Sequence, residues 1–203
     1  MPSDGRCPEI SNDRAAEVAD SRALEVSDGR APEVADGLAT RYTADGVVIE
    51  RIARPVRAVE LGLEPHPEGG WYRRTWTSDV AVDVTAPDGS TRTRPTATLI
   101  IFLLPPGEFS AWHRVSSTET WIWNGLAPVT LELGGDGDAP ASASTHLLGA
   151  NADAGESLQV TIAPNVWQRT LPSADEALAS CVVSPGFDFA DFSLESPEPS
   201  PNP

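Results

Sequence analysis

Residues 107–125 read Gly107-Glu-Phe-Ser-Ala-Trp-His113-Arg-Val-Ser-Ser-Thr-Glu119-Thr-Trp-Ile-Trp-Asn-Gly125, so His113 is followed six residues later by Glu119 between two glycines. Side chains alternate between the two faces of a β-strand. A strand that begins at Glu119 therefore presents Glu119, Trp121 and Trp123 on the same face. We expect a site in which the imidazole of His113 and a carboxylate lie over two indole rings, because small-molecule pockets combine a few polar groups with apolar walls.

The spacing of this segment resembles the first motif of the cupin barrels. That motif runs glycine, five residues, His-x-His, three or four residues, glutamate, and about six residues to a second glycine. Val115 stands at the second histidine position. One metal ligand of the usual pattern is therefore missing, and the resemblance implies that the face carrying Glu119 looks into the barrel.

Three further segments narrow the resemblance to a small single-domain cupin family of largely unknown function, often labelled cupin family five. They are Leu61-Gly-Leu-Glu-Pro-His66-Pro-Glu68-Gly-Gly-Trp-Tyr-Arg73-Arg-Thr-Trp-Thr-Ser78, Ile162-Ala-Pro164-Asn-Val-Trp167-Gln168 and Ser184-Pro-Gly-Phe187-Asp-Phe-Ala-Asp-Phe192. With the first motif they cover residues 52–194 in order, and any one of them alone is a weak signal.

Composition limits the classes of function. The chain of 203 residues suits one domain with loose ends. All 14 basic residues are arginine, which excludes Schiff-base catalysis by lysine. The net charge of −16 opposes binding to nucleic acid, whose affinity comes from cations that neutralise phosphates. No apolar run is long enough for a membrane span or a signal peptide, so we expect a cytoplasmic protein without membrane partners.

The ends of the chain differ from its middle. We expect residues 1–46 to be a disordered acidic tail, because residues 5–36 hold four polar octad repeats whose apolar positions form no single helical face. A docking arm is the functional alternative. We expect a cupin domain over residues 47–194 and a proline-rich tail over 195–203. Cys7 and Cys181 suggest no disulfide framework, and Cys181 is most simply a small buried hydrophobe.

Hydrophobic patterning predicts an all-β fold with one short helix. Residues 52–63 fit an amphipathic helix that presents Val56, Val59 and Leu63. Residues 97–104 are apolar at both parities, which is typical of a strand covered on both faces. Several shorter apolar runs follow between turns, as in a β-barrel or sandwich. The resemblance selects a jelly-roll barrel, also called a double-stranded β-helix.

The first motif and the Pro-His-Pro-Glu-Gly-Gly loop supply the candidate catalytic residues. They are His113, Glu119, His66 and Tyr72. A lone histidine is more often a hydrogen-bonded structural residue, and the family resemblance is what favours a role for His113. The loop carrying His66 looks rigid and exposed, since its prolines fix φ and its glycines allow close backbone approach. A turn that merely shapes the next strand is the alternative.

The candidate ligand-binding residues are Glu68, Arg73, Trp121, Trp123 and Trp167. Arg73 matches the family arginine and is suited to bind a carboxylate or phosphate with two hydrogen bonds, although an ion pair with a neighbouring strand is the alternative. Arg74 stands where the family usually has an acidic residue. If that carboxylate is catalytic in other members, this chain has lost it.

A divalent metal is an open alternative with an incomplete ligand set. Cupin centres typically use three histidines and one glutamate, and only His113 and Glu119 remain here. Val115 cannot bind a metal, and Arg169 stands where the last histidine is expected, counting from Pro164. Two protein ligands make a weak site. The sequence therefore predicts no cofactor, and the alternative is a divalent metal with His66 as its third ligand.

Three functions remain open. The first is a metal-independent isomerase or epimerase of sugars or small acids, in which His113 removes a proton beside a carbonyl and His66 or Tyr72 returns one. The second is a non-catalytic protein that binds a small polar or anionic metabolite. The third is a metal-dependent oxygenase or decarboxylase. The resemblance also implies a homodimer, since cupins are commonly dimeric.

Overall fold

The computed structural model describes residues 37–85, 89–141 and 144–195, which form sixteen strands and one α-helix. The octad repeats, Cys7 and residues 196–203 lie outside the described residues. The strands are β1 (Leu38–Tyr42), β2 (Val48–Ala53), β3 (Glu64–Pro65), β4 (Trp71–Thr77), β5 (Ala81–Thr85), β6 (Thr91–Pro95), β7 (Thr98–Leu104), β8 (His113–Val115), β9 (Thr118–Leu126), β10 (Val129–Leu133), β11 (Ser144–Leu148), β12 (Glu156–Ser157), β13 (Gln159–Ile162), β14 (Gln168–Thr170), β15 (Ala177–Ser184) and β16 (Phe192–Leu194). The helix is α1 (Val56–Glu60). Two 3₁₀ turns span Ala152–Ala154 and Phe189–Asp191.

Two six-stranded sheets form the body of the domain. One has the order β12-β11-β10-β14-β8-β16 and the other β13-β9-β15-β7-β4-β3. From β7 to β16 the chain crosses repeatedly from one sheet to the other. This alternation is that of a double-stranded β-helix and confirms the predicted all-β jelly roll. The separate pairs β1-β2 and β5-β6 lie outside the two sheets.

The main core contains large buried side chains from both sheets, including Phe102, Trp121, Leu131 and Leu148. Each is at most 1% exposed. Burying an aliphatic or aromatic side chain of this size contributes about 1.5–3 kcal/mol. The contact between the two apolar faces is therefore what holds the sheets together.

Strand β7 is covered on both faces, as its unbroken apolar sequence predicts. Phe102 and Leu104 belong to the main core, whereas Leu103 packs on the other face with Trp71 and Leu63. Neighbouring strands β4 and β15 flank β7 within the sheet. Its alternate side chains therefore bury themselves in two different clusters.

The N-terminal boundary and the helix differ from the prediction. Strand β1 pairs with β2, and Ala39 of β1 is buried in the second cluster, so the ordered domain begins before residue 47. The helix has only five residues. Val56 and Val59 are 76% and 60% exposed, and Ala58 supplies the buried face instead. The segment before Pro55 pairs as β2, which leaves too few residues for the predicted amphipathic stripe.

No helix within the described ranges has the length and apolar character needed to cross a bilayer.

Candidate functional site

A cavity lies between the two sheets. The predicted residues His66, Glu68, Tyr72, His113, Glu119 and Trp121 all line it. The cavity volume that the centre of a water molecule can occupy is about 30 Å³. One water needs about 10–15 Å³ on this measure, so the cavity in this conformation suits a ligand of only a few heavy atoms.

The turn between β3 and β4 (residues 66–70) depends on its glycines. The N–H of His66 donates to the carbonyl of Gly70 at 3.0 Å, and the N–H of Gly69 donates to the carbonyl of His66 at 3.1 Å. Gly69 has a φ of +113°, which L side chains rarely adopt, and a Cβ there would collide with the carbonyl oxygen of Phe109. Only glycine allows the two backbone segments to approach so closely.

This approach buries the turn, so the expectation of an exposed loop is wrong. The N–H of Ala111 donates to the carbonyl of Glu68 at 2.7 Å. The side chains of His66 and Glu68 consequently enter the cavity and are only 5% and 7% exposed as residues. The segment before β8 therefore acts as the wall against which the turn is fixed.

Glu68 lies between two imidazoles. Its Oε2 is 3.3 Å from Nδ1 of His66 and 3.4 Å from Nε2 of His113. Nδ1 of His113 is 2.8 Å from the carbonyl oxygen of Ala111, and since a carbonyl can only accept, this nitrogen carries a proton. Nε2 of His113 is therefore the atom that can gain or lose a proton on the cavity side.

The two carboxyls of the cavity have pKa values shifted in opposite directions. Burial alone raises the pKa of Glu68, but the charges of His113 and His66 outweigh it, and the pKa ends below its ordinary value. Burial, followed by the charge of Glu68, raises the pKa of Glu119 to about 7. Near neutral pH, Glu68 is ionised while Glu119 exchanges a proton, which is the pattern of paired acid and base groups.

A hydrogen-bond relay fixes Glu119. The indole Nε1 of Trp121 donates to Oε1 of Gln168 at 2.9 Å, and Nε2 of Gln168 donates to Oε2 of Glu119 at 2.6 Å. An indole N–H can only donate, so it sets the orientation of the Gln168 amide and turns the amide NH₂ group toward the carboxyl. Trp121 thus positions the carboxyl of Glu119 through the amide of Gln168.

Residues 185–192, called here the C-terminal strap, close one side of the cavity. Phe187 and Phe192 line it. The ring of Phe192 stacks on His113 with centroids 5.8 Å apart, and Phe189 stacks on His66 at 5.9 Å. Both imidazoles are therefore shielded from solvent by aromatic rings of one segment.

Ion pairs anchor the strap. Asp191 accepts hydrogen bonds from Arg92 and from the buried Arg94, and Arg94 also donates to the carbonyl of Gly186. Beyond Asp191, β16 pairs with β8 and sets Phe192 opposite Val115. The strap is thus fixed at both ends of its aromatic stretch.

Three predicted ligand-binding residues lie outside the cavity lining. Arg73 points away from it, and its Nε donates to the carbonyl of Leu61 at 3.0 Å. Trp123 shares a face with Glu119, as predicted, but packs against the main core. Trp167 donates from Nε1 to the carbonyl of Gly137 at 2.9 Å. The outward orientation of Arg73 follows from the alternation of side chains along a strand, because its neighbour Tyr72 faces inward.

The sequence analysis did not assign Gln168 or Arg74 to the site, because it did not establish which residues of β14 and β4 face inward. Gln168 pairs with His113 across β14 and β8, whereas Arg169 points outward to Glu132. The residue that meets the site is therefore Gln168 and not Arg169, as counting from Pro164 had indicated. Arg74 lines the cavity, and alternation from Tyr72 is the signal that identifies it.

Cys181 also lines the cavity and is 1% exposed, which agrees with the predicted buried hydrophobe. Burial, and then the charge of Glu119, raises the pKa of its thiol well above the ordinary value. The thiol therefore stays protonated and is a poor nucleophile.

The residues present do not fit a typical cupin metal centre. Val115 and Gln168 supply no imidazole, and the ring nitrogens of His66 and His113 point at an oxygen of Glu68. In the parts of the chain that the structure describes, no group of three or more His, Cys, Asp or Glu side chains is arranged to hold a metal ion. A metal-dependent oxygenase or decarboxylase therefore has no ligand set among these residues.

Residues 58–195 match the family model described as Cupin superfamily (DUF985). A hypothetical protein from Leishmania major is 32% identical over 68% of this chain and 85% of its own, with a TM-score of 0.60. A protein from Shewanella oneidensis with an X-ray structure is 31% identical over 69% of this chain and 82% of its own, with a TM-score of 0.59. No curated protein matches the sequence.

We expect Gly69→Ala to destabilise the protein more than Gly107→Ala. Both glycines have positive φ, so each substitution carries a strain of about 1–2 kcal/mol, but a Cβ at Gly107 meets nothing within 4 Å. The collision at Gly69 adds about 1–3 kcal/mol, as overpacking does elsewhere. Chemical denaturation measures the free energy of unfolding of both variants. Equal decreases in the two variants contradict the turn geometry described for Gly69.

Glu119→Gln should remove a pH dependence of stability. Glu119 releases its proton near 4.5 when unfolded and near 7 when folded, so between these pH values the folded state binds more protons. The free energy of unfolding that Glu119 contributes is fully present below pH 4.5 and falls by about 3 kcal/mol as the pH rises through 7. The difference in unfolding free energy between wild type and variant, measured by denaturation across this range, should fall accordingly.

If the free energies of unfolding of wild type and Glu119→Gln change in parallel from pH 4.5 to 8, the raised pKa of Glu119 is contradicted. Carbon-13 NMR titration of the Glu119 carboxyl gives an independent reading of the same proton.

Proposed function

The chain belongs to the cupin superfamily, in the family described as DUF985, and we propose that its barrel binds a small polar or anionic metabolite and transfers a proton at one of the metabolite's carbon atoms. The reaction class is isomerisation or epimerisation beside a carbonyl group. The observation that carries the proposal is one buried carboxylate oxygen within 3.4 Å of ring nitrogens of both His66 and His113.

His113 is the proposed base. Its Nδ1 donates to the carbonyl of Ala111, so Nε2, which lies 3.4 Å from Oε2 of Glu68, is the nitrogen that accepts the proton from carbon. Glu68 then lies beside the new imidazolium and stabilises its charge. Proton transfer by a positioned imidazole contributes about a hundredfold to ten-thousandfold in rate.

His66 is the proposed acid, in preference to Tyr72. His66 shares Glu68 with His113, so a proton on either imidazole is stabilised by the same carboxylate. Burial, and then the charge of Glu64, raises the pKa of Tyr72, which makes the phenol a weaker acid. Tyr72 is better suited to donate a hydrogen bond to an oxygen of the ligand.

Glu119 is the proposed partner of the carbonyl oxygen. When His113 removes the proton, the electron pair of the C–H bond forms a C=C bond and the carbonyl electrons move onto oxygen. Protonated Glu119 donates a hydrogen bond to this oxygen, and the electrons return when His66 protonates carbon. The reaction consumes no oxidant. It leaves a proton on His113 and takes one from His66, and transfer through Glu68, which contacts both rings, or through water restores the starting state. Rates should fall above pH 7 as Glu119 loses its proton.

A non-catalytic binding protein is the second candidate, because the aromatic enclosure of both imidazoles also suits retention of a ligand. Homodimer formation stays a prediction, which native mass spectrometry can check.

Solvent exchange tests catalysis. Wild-type protein in deuterated buffer should exchange carbon-bound protons of small 2-hydroxy or 2-oxo acids, followed by proton NMR. His113→Gln should lower the exchange rate at least about a hundredfold, since it removes the base.

His146→Gln is the matched control. This histidine is on β11, where its Nε2 lies 3.1 Å from the hydroxyl of Ser144, outside the cavity lining. If wild type and His113→Gln exchange carbon-bound protons at the same rate, the catalytic proposal is contradicted. Ligand binding without any exchange favours the non-catalytic candidate.

A further inference from the structure

Arg74 is an exposed arginine that lines the cavity, and among the described residues no carboxylate pairs with its guanidinium. It lines the cavity from β4, and its one hydrogen bond within the described residues runs from Nη2 to the carbonyl of Phe187 at a long 3.4 Å. Its Cζ lies 5.9 Å from the centre of the Phe187 ring. Other arginines of the domain pair with carboxylates, namely Arg41, Arg57, Arg92, Arg94 and Arg169.

The register of the sheet aligns Arg74 with the rest of the site. Arg74 lies opposite Ile100, which lies opposite Cys181, which lies opposite Trp121. All four line the cavity, so they form one row across four neighbouring strands. Strands are about 4.8 Å apart, so the backbones at the two ends of this row are about 14 Å apart.

Opposite chemistry occupies the two ends of the site. Arg74 supplies a positive charge at the β4 end, and Glu119 on β9 lies beside Trp121 at the other. Between them the row consists of Ile100 and Cys181, which carry no charge at neutral pH. A ligand held along this row has its anionic end at Arg74 and its uncharged, reactive part near the imidazoles and Glu119.

The charges of the cavity also limit the ligand. The charge of Glu68 is compensated by imidazoles, so it does not neutralise Arg74. A second anionic group on the ligand, reaching the opposite end, would be buried without a free cation, because both imidazoles there already pair with Glu68. The small room inside excludes long chains in this conformation.

We propose that Arg74 binds the carboxylate of the substrate, and that the substrate is a short monocarboxylic acid with a hydroxyl or carbonyl group. This inference rests on the proposed function and specifies its substrate class. A planar guanidinium offers two parallel N–H donors to a carboxylate, which gives orientation as well as affinity. Arg74, at the position where the family resemblance leads one to expect an acidic residue, thus selects an anion.

Binding of matched acids and amides tests the inference. The probes are glycolate, lactate and pyruvate, each compared with its neutral amide, titrated into wild-type protein and followed by NMR. At least one acid should bind, and Arg74→Gln should weaken that binding about 10- to 100-fold, because a hydrogen-bonded ion pair is lost. The amides should bind weakly and equally to both proteins.

Arg73→Gln is the matched control, since it removes the adjacent arginine from the outer face of the same strand. It should leave acid binding unchanged. Equal acid binding by wild type and Arg74→Gln overturns the inference, as does equal weakening by Arg73→Gln. Failure of every acid to bind at millimolar concentration, or tighter binding of inorganic phosphate than of any acid, overturns it as well.

Proton exchange separates this inference from the proposed function. Acids that bind through Arg74 without exchanging protons contradict catalysis and leave the substrate class standing. Exchange of neutral amides at the same rate by wild type and Arg74→Gln contradicts the substrate class and leaves catalysis standing.

Discussion

The contact of one Glu68 oxygen with two imidazoles is the constraint around which the site is built. Moving a carboxylate out of water costs several kcal/mol unless opposite charge and hydrogen bonds compensate it. Here His66 and His113 provide that compensation, and they come from different parts of the fold, a turn and β8. The close approach at Gly69 and the hydrogen bond from Ala111 both serve to bring those parts together.

Burying a second carboxyl beside the first has an electrostatic consequence. The two imidazoles leave Glu68 ionised. Burial, and then the charge of Glu68, raises the pKa of Glu119. Gln168, oriented by Trp121, opposes this with a hydrogen bond that favours the ionised form. The result is a proton at Glu119 that is held loosely near neutral pH.

Periodicity and motif spacing predicted the fold and about half of the site. The face shared by Glu119 and Trp121 follows from the period of two, and the jelly roll follows from four motifs in order. Arg74 and Gln168 were missed because their facing depends on where β4 and β14 begin, and β4 also has a register shift between Arg74 and Trp76. The burial of His66 depends on a distant backbone segment near Phe109, and no local pattern reports such a contact.

The strap has a consequence for the order in which the protein matures. His66 and Phe192 are in ring contact although 126 positions separate them (192 − 66). Closing a segment of that length is slow compared with forming local turns, and chains emerge from the ribosome N-terminus first. The cavity therefore has no complete wall until β16 has been synthesised, because the rings that cover His66 and His113 belong to the strap.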